Sequence, residues 1–300
     1  LPEIRVYRDL LRALESVAGY RPGSMDLPPP NGDRDTFYVF SYDWRRDNVE
    51  NARLLARKID ALKTELGRPY LRFNILAHSM GGLIARYYAM YGDRNLDALP
   101  ADGADWRGAA NINRLLLIGT PNRGVMDALR SLNEGYNYYG GNVKRSSLFN
   151  KLDAELLLSL PSVYQLLPFA GEASVINERL ERVPIDLLSI DTWRANAWSI
   201  FSEKHRKRVI KRLGSTAGNA RLAEEEAFLD AALKRARAFQ ESLERRPAIA
   251  RTIPIYIFGG DCELTLEAPL VVQGDRVPRT YFLARGVRAG RTVLDKKRLL

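Results

Sequence analysis

Cysteine is nearly absent from this chain. Cys262 stands alone among 300 residues, so no disulfide can close within it and the redox compartment is left open. Histidine is almost as scarce: only His78 and His205 are available wherever an imidazole is needed. No apolar run is long enough to cross a bilayer. The longest uncharged stretch, Leu156 to Gly171, is too short and is interrupted by Pro161 and Pro168. The opening Leu1-Pro2-Glu3-Ile4-Arg5 does not have the pattern of a signal peptide. A phosphate-cradling glycine loop, a cluster with metal-ligand spacing and a nucleic-acid motif are also missing. The sequence therefore implies no cofactor, no metal and no nucleic-acid partner.

What is present suits a large globular core. Apolar residues make up 46% of the chain, enough for one large domain or a domain with an inserted subdomain. The formal net charge of +10 favours anionic surfaces without choosing among them. Helical periodicity over Glu3 to Val17 ends at Gly19 and a loop rich in proline and glycine. Thr36 to Tyr42 is β-branched and aromatic and reads as a buried strand. Asn48 to Leu66 returns to helical period, and Tyr70 to Ala77 reads as a second strand. A helix from Gly82 to Tyr91 and a strand from Ile112 to Ile118 follow. Strands alternating with helices imply βαβ units, hence an α/β fold with a mostly parallel sheet flanked by helices. The alternation stops near Leu132, and a mainly helical region follows, including a long helix from Ala220 to Arg246. A strand resumes at Ile253 to Phe258. The expected organisation is a first core part over 1–132, a mainly helical lid over 133–251 and a resumed core over 252–300.

The segment from Phe73 to Leu83 carries the chemistry. A serine hydroxyl is a weak nucleophile unless it is well presented and deprotonated by a base. A sharp strand-to-helix turn presents it, and that turn needs small residues two positions either side, here Ala77 and Gly81 around Ser79. The N–H of Met80 opens a helix and points where an oxyanion would form. His78 should turn its ring away from Ser79, since neighbours on a turn diverge.

Four segments resemble the lecithin:cholesterol acyltransferase-like branch of the α/β-hydrolase fold. They are Ser41-Tyr42-Asp43-Trp44-Arg45, the turn Ala77-His78-Ser79-Met80-Gly81-Gly82, Ile118-Gly119-Thr120-Pro121-Asn122-Arg123-Gly124, and Pro161-Ser162-Val163-Tyr164-Gln165-Leu166-Leu167-Pro168. The resemblance implies a serine hydrolase or O-acyltransferase working through an acyl-enzyme on Ser79, with lipid or other bulky esters as substrate. The alternative is a non-catalytic relative that binds lipid or a partner. Asp43-Trp44-Arg45 could act in catalysis or form a local ion pair at a strand end. Leu156 to Leu167 could be an apolar lip for acyl chains or ordinary core. The basic stretch from Phe201 to Arg212 could meet an anionic lipid surface, a peripheral membrane contact through the lid, or remain a solvated face.

In this fold the triad runs serine, acid, histidine. Asp261, after the strand at Ile253 and Gly259-Gly260, suits the acid, with Asp275 as the alternative. His205 precedes that strand and lies in a strongly basic stretch, which argues against it as the base. The base and a second oxyanion donor are thus expected from outside these residues, in a longer hydrolase of which the chain is a part.

Overall fold

The computed structural model describes residues 7–26, 35–137, 151–248, 253–260, 265–273, 278–288 and 291–294. The first half alternates strands with helices. Helix α1 (Arg8–Ser16) leads into the short parallel pair β1 (Arg21–Gly23) and β2 (Thr36–Tyr38). Only three residues of the strand expected over Thr36 to Tyr42 join a ladder; beyond Tyr38 no described residue pairs with it. Helix α2 (Asn48–Glu65) starts where Asp47 caps it by accepting from Val49 N–H. Its apolar face, Val49, Ala52, Leu55, Ala56, Ile59 and Leu62, is buried.

Strand β3 (Phe73–His78), helix α3 (Met80–Tyr91) and strand β4 (Ile112–Ile118) follow. The strand β9 (Ile255–Phe258) returns from much later in the chain to pair with β4, giving a parallel sheet of order β3-β4-β9. Helices α2 and α3 pack one core with Ala77, Leu115 and Leu117 of this sheet.

A second core lies in the expected lid. It holds helices α4 (Met126–Glu134), α5 (Ala154–Leu157), α6 (Pro161–Tyr164), α7 (Ile190–Ala195) and α9 (Ser215–Glu244), and α8 (Glu203–Leu213) packs on α9. The pairs β5 (Tyr136–Asn137) with β6 (Lys151–Leu152), and β7 (Ser174–Ile176) with β8 (Arg182–Pro184), are antiparallel. Helix α9 begins five residues before the expected Ala220. Gly218 does not break it, because Ile210 of α8 packs directly against its Cα face. Leu157, Leu160, Val163, Tyr164 and Leu167 are buried in this second core, so most of the leucine-rich stretch is core, while Leu156 at its start is exposed.

Of the segment over 252–300 expected to resume the core, one described strand lies in the parallel sheet and three lie elsewhere. Strand β9 joins the parallel sheet. The later strands β10 (Thr265–Val272), β11 (Arg279–Arg288) and β12 (Arg291–Leu294) instead extend a sheet of order β12-β11-β10-β7-β8, through a parallel pairing of Leu270 with Ile176. Leu266, Val271 and Phe282 bury themselves against the lid helices. The physical cause is apolar burial: β7 offers an edge and the lid a second core to close.

Candidate active site

Ser79 stands at the junction of β3 and α3 with φ 53° and ψ −130°. A residue with a Cβ adopts this backbone only under constraint. Here Ser79 N–H donates to Ile118 O at 2.9 Å and Gly82 N–H to Ser79 O at 3.0 Å, so a strand bond and a helix bond meet on one residue. The side chain is half-buried and makes no capping hydrogen bond, which leaves the hydroxyl unspent. Met80 N–H has no partner among the described residues and lies in the first turn of a 12-residue helix. A partial positive charge therefore gathers at this end of the helix, next to Ser79 in the chain.

The close approach behind this turn falls one residue later than the sequence implies. A Cβ on Gly81 would meet only the Tyr42 hydroxyl, at an ordinary 3.6 Å. A Cβ on Gly82 would collide with the Thr120 side chain, whose hydroxyl oxygen is buried with no partner among the described residues. Ala77, two residues before Ser79, is buried.

His78 turns away from Ser79. Its Nδ1 lies 3.0 Å from the Tyr7 hydroxyl, and the two rings meet edge to face with centroids 5.6 Å apart. His205 lies on α8, where Nε2 is 2.7 Å from Glu225 and Nδ1 is 3.2 Å from Arg208. Both of its ring nitrogens are thus engaged between α8 and α9, and neither histidine bonds Ser79. The two acid candidates, Asp261 and Asp275, lie outside the described residues.

Asp43 forms a fork with Arg45, Nε to Oδ1 and Nη2 to Oδ2, both at 2.8 Å. The Arg45 hydrogen bonds hold its carboxyl down at about 2. The pair is solvent-exposed, so Asp43-Trp44-Arg45 is a local ion pair at the surface. Next to it, sequence reasoning passed over a buried junction. Asp47 accepts from Gln165 Nε2 and from Arg235 Nε, both at 2.9 Å, while Gln165 Oε1 accepts from Asn48 N–H at 2.8 Å. One carboxylate thereby ties the start of α2 to the lid segment and to α9. The pattern Asp47-Asn48-Val49-Glu50 marks a helix start, but the partners lie 118 and 188 residues away and leave no local trace.

The loop after β4 is held as firmly. Gly119 takes φ 55° and its N–H donates to Phe258 O. Val125 N–H donates to Leu166 O, and Phe169 N–H to Arg123 O. Arg86, from the middle of α3, reaches Asn122 O and Oδ1 through Nη1, and Leu243 O through Nη2. Burial lowers its pKa, and its hydrogen bonds to carbonyls offset that cost. Among the described residues no group of three or more metal-ligating side chains gathers, and no helix is long and apolar enough to cross a membrane.

Residues 30–208 match the family model described as lecithin:cholesterol acyltransferase. No curated protein matches the chain. Among solved structures, the chain is similar to one in the crystal structure of the Tle4-Tli4 complex, with a TM-score of 0.54 and 14% identity. That match covers 80% of this chain and 48% of the other, so the chain spans about half the length of that structure. The likeness establishes a shared fold, of α/β-hydrolase type.

Proposed function

The chain belongs to the lecithin:cholesterol acyltransferase family, and on that premise we propose that it is a serine-dependent acyl hydrolase or O-acyltransferase acting on lipid or other bulky esters. The observation that supports this most is the backbone of Ser79, with φ 53° and ψ −130° between a strand and a helix. Strain of this kind is retained where a hydroxyl has to be presented. Ser79 Oγ attacks the ester carbonyl carbon while its proton passes to a base. The carbonyl oxygen takes up the electron pair beside Met80 N–H. The alcohol then leaves with that proton, and an acyl group remains on Ser79. Water or an alcohol takes the acyl group in the second half.

Among the described residues neither His78 nor His205 bonds Ser79, so neither is assigned as the base, which in a triad of this kind is an imidazole. Asp261 is the acid that orients it, with Asp275 as the alternative. The exposed cations of α8, among them Lys204, Arg206, Lys211 and Arg212, have no ion-pair partner among the described residues and would meet an anionic lipid surface.

The test is turnover of an ester by the full-length protein. Ser79→Ala should abolish it, and Asp261→Asn should cost about 10⁴-fold. Unchanged turnover in Ser79→Ala would refute the reading. Liposome binding without any esterase activity would leave the non-catalytic alternative.

A further inference from the structure

We propose that the hydroxyl of Tyr42 is a donor to the oxyanion, standing beside Met80 N–H at the first turn of α3. The inference rests on the reading of Ser79 as the nucleophile and adds a group to it. Three observations carry it. The first is position. Gly81 has no side chain, and among the described residues, its neighbours and its own helix backbone aside, the atom within 4 Å of the point where its Cβ would stand is Tyr42 Oη, at 3.6 Å. The phenol therefore stands beside the first turn of the helix that Ser79 opens, where Met80 N–H has no partner among the described residues.

The second is rigidity. The Tyr42 ring stacks on Phe40 with centroids 5.7 Å apart and an interplanar angle of 21°. Both rings pack against the core formed by α2, α3 and the parallel sheet. A donor held by packing does not need to reorganise when charge develops, and that is the property from which such sites draw their effect.

The third is chemistry. The Tyr42 hydroxyl has no hydrogen-bond partner among the described residues, although the side chain is half-buried. A hydroxyl with no partner in the protein is free to donate, and an anion arriving beside it accepts that hydrogen bond. Burial, and behind it the nearby Tyr7, push its pKa up to about 12, so it keeps its proton across the working range and acts as donor only. The neighbouring Tyr7 is unsuited to the same task, because its hydroxyl already meets His78 Nδ1.

The step is a hydrogen bond and not a proton transfer. As Ser79 Oγ bonds to the carbonyl carbon, the π pair moves to the carbonyl oxygen, and Met80 N–H and Tyr42 O–H both point at it. On collapse the pair returns, the bond to the alcohol oxygen breaks, and the alcohol leaves with the proton that the imidazole base took from Ser79. Tyr42 ends as it began.

Tyr42→Phe in the full-length protein removes the hydroxyl and keeps the stacked ring. Two readouts are compared with wild type: kcat and KM on a p-nitrophenyl ester, and the rate of Ser79 phosphonylation by a fluorophosphonate. Both kcat and the phosphonylation rate should fall about 10²- to 10³-fold. KM and the thermal midpoint should stay unchanged, because no hydrogen bond of the resting protein is lost. A trifluoromethyl ketone should lose affinity by the same factor as kcat/KM. If Tyr42→Phe keeps both rates within about 2-fold while Ser79→Ala is dead, the Tyr42 assignment fails and that of Ser79 stands. If wild type is not phosphonylated at Ser79, or if Ser79→Ala still turns over, both fail.

Discussion

Replacing Asp47 by alanine should cost this protein far more than a polar surface substitution. The carboxylate is only 8% exposed and serves three donors at once: Val49 N–H at 2.7 Å, Gln165 Nε2 at 2.9 Å and Arg235 Nε at 2.9 Å. Loss of the helix cap costs about 1 kcal/mol. Gln165 is fully buried, and its stranded amide costs a further ~1–2 kcal/mol. The Arg235 guanidinium is 31% exposed and recovers part of its hydration, so its share is discounted to ~1 kcal/mol. Together these give a loss of roughly 3–4 kcal/mol. Asp47→Asn keeps an oxygen for the cap but turns an amide donor toward other donors, and should lose about half as much. Urea unfolding followed by tryptophan fluorescence and far-ultraviolet circular dichroism measures both variants. A loss below about 1 kcal/mol for Asp47→Ala, or equal losses for the two variants, would refute the view that this carboxylate bolts the start of α2 to α9 and to the segment carrying Gln165.

Other outcomes follow from the same contacts. Gly81→Ala should be neutral or stabilising by up to ~1 kcal/mol, since its new methyl meets the Tyr42 hydroxyl at an ordinary contact distance of 3.6 Å and gains helix propensity. Gly82→Ala should instead cost ~1–3 kcal/mol and lower turnover, because the methyl drives into Thr120; equal tolerance at the two sites in thermal unfolding would contradict the packing. His205→Gln should leave ester turnover of the full-length protein unchanged while reducing its stability, through the loss of the Glu225 contact. Stability should also fall as pH rises from about 10 toward 12. Burial holds the Tyr88 and Tyr91 phenols up to about 12, so the folded protein binds more protons than the unfolded chain in that window. Urea midpoints at pH 9, 10 and 11 check this, and a flat profile would count against it.

The parts of the fold legible in the sequence are those whose cause is local. Helix α2 shows its apolar period, and β3, Ser79 and α3 show a strand, a strained turn and a helix in succession, each within a dozen residues. The lid strands β7 and β8 have three residues each, and β8 is exposed throughout, so no alternation of side chains announces them. The pairing of β10 with β7 joins segments almost a hundred residues apart and depends on which edge is free, which local sequence does not encode. The Asp47 junction was illegible for the same reason. Gly82 carries the tight contact because Thr120 of another loop stands against it, so small-residue spacing around Ser79 could not single it out.

The whole account depends on the one hydroxyl of Ser79, and covalent labelling reads it directly. The full-length protein is treated with a fluorophosphonate, digested and analysed by mass spectrometry. The account predicts a single adduct on the peptide carrying Ser79, lost when the protein is unfolded first and absent in Ser79→Ala. An adduct on another serine, or ester turnover that persists in Ser79→Ala, would contradict it.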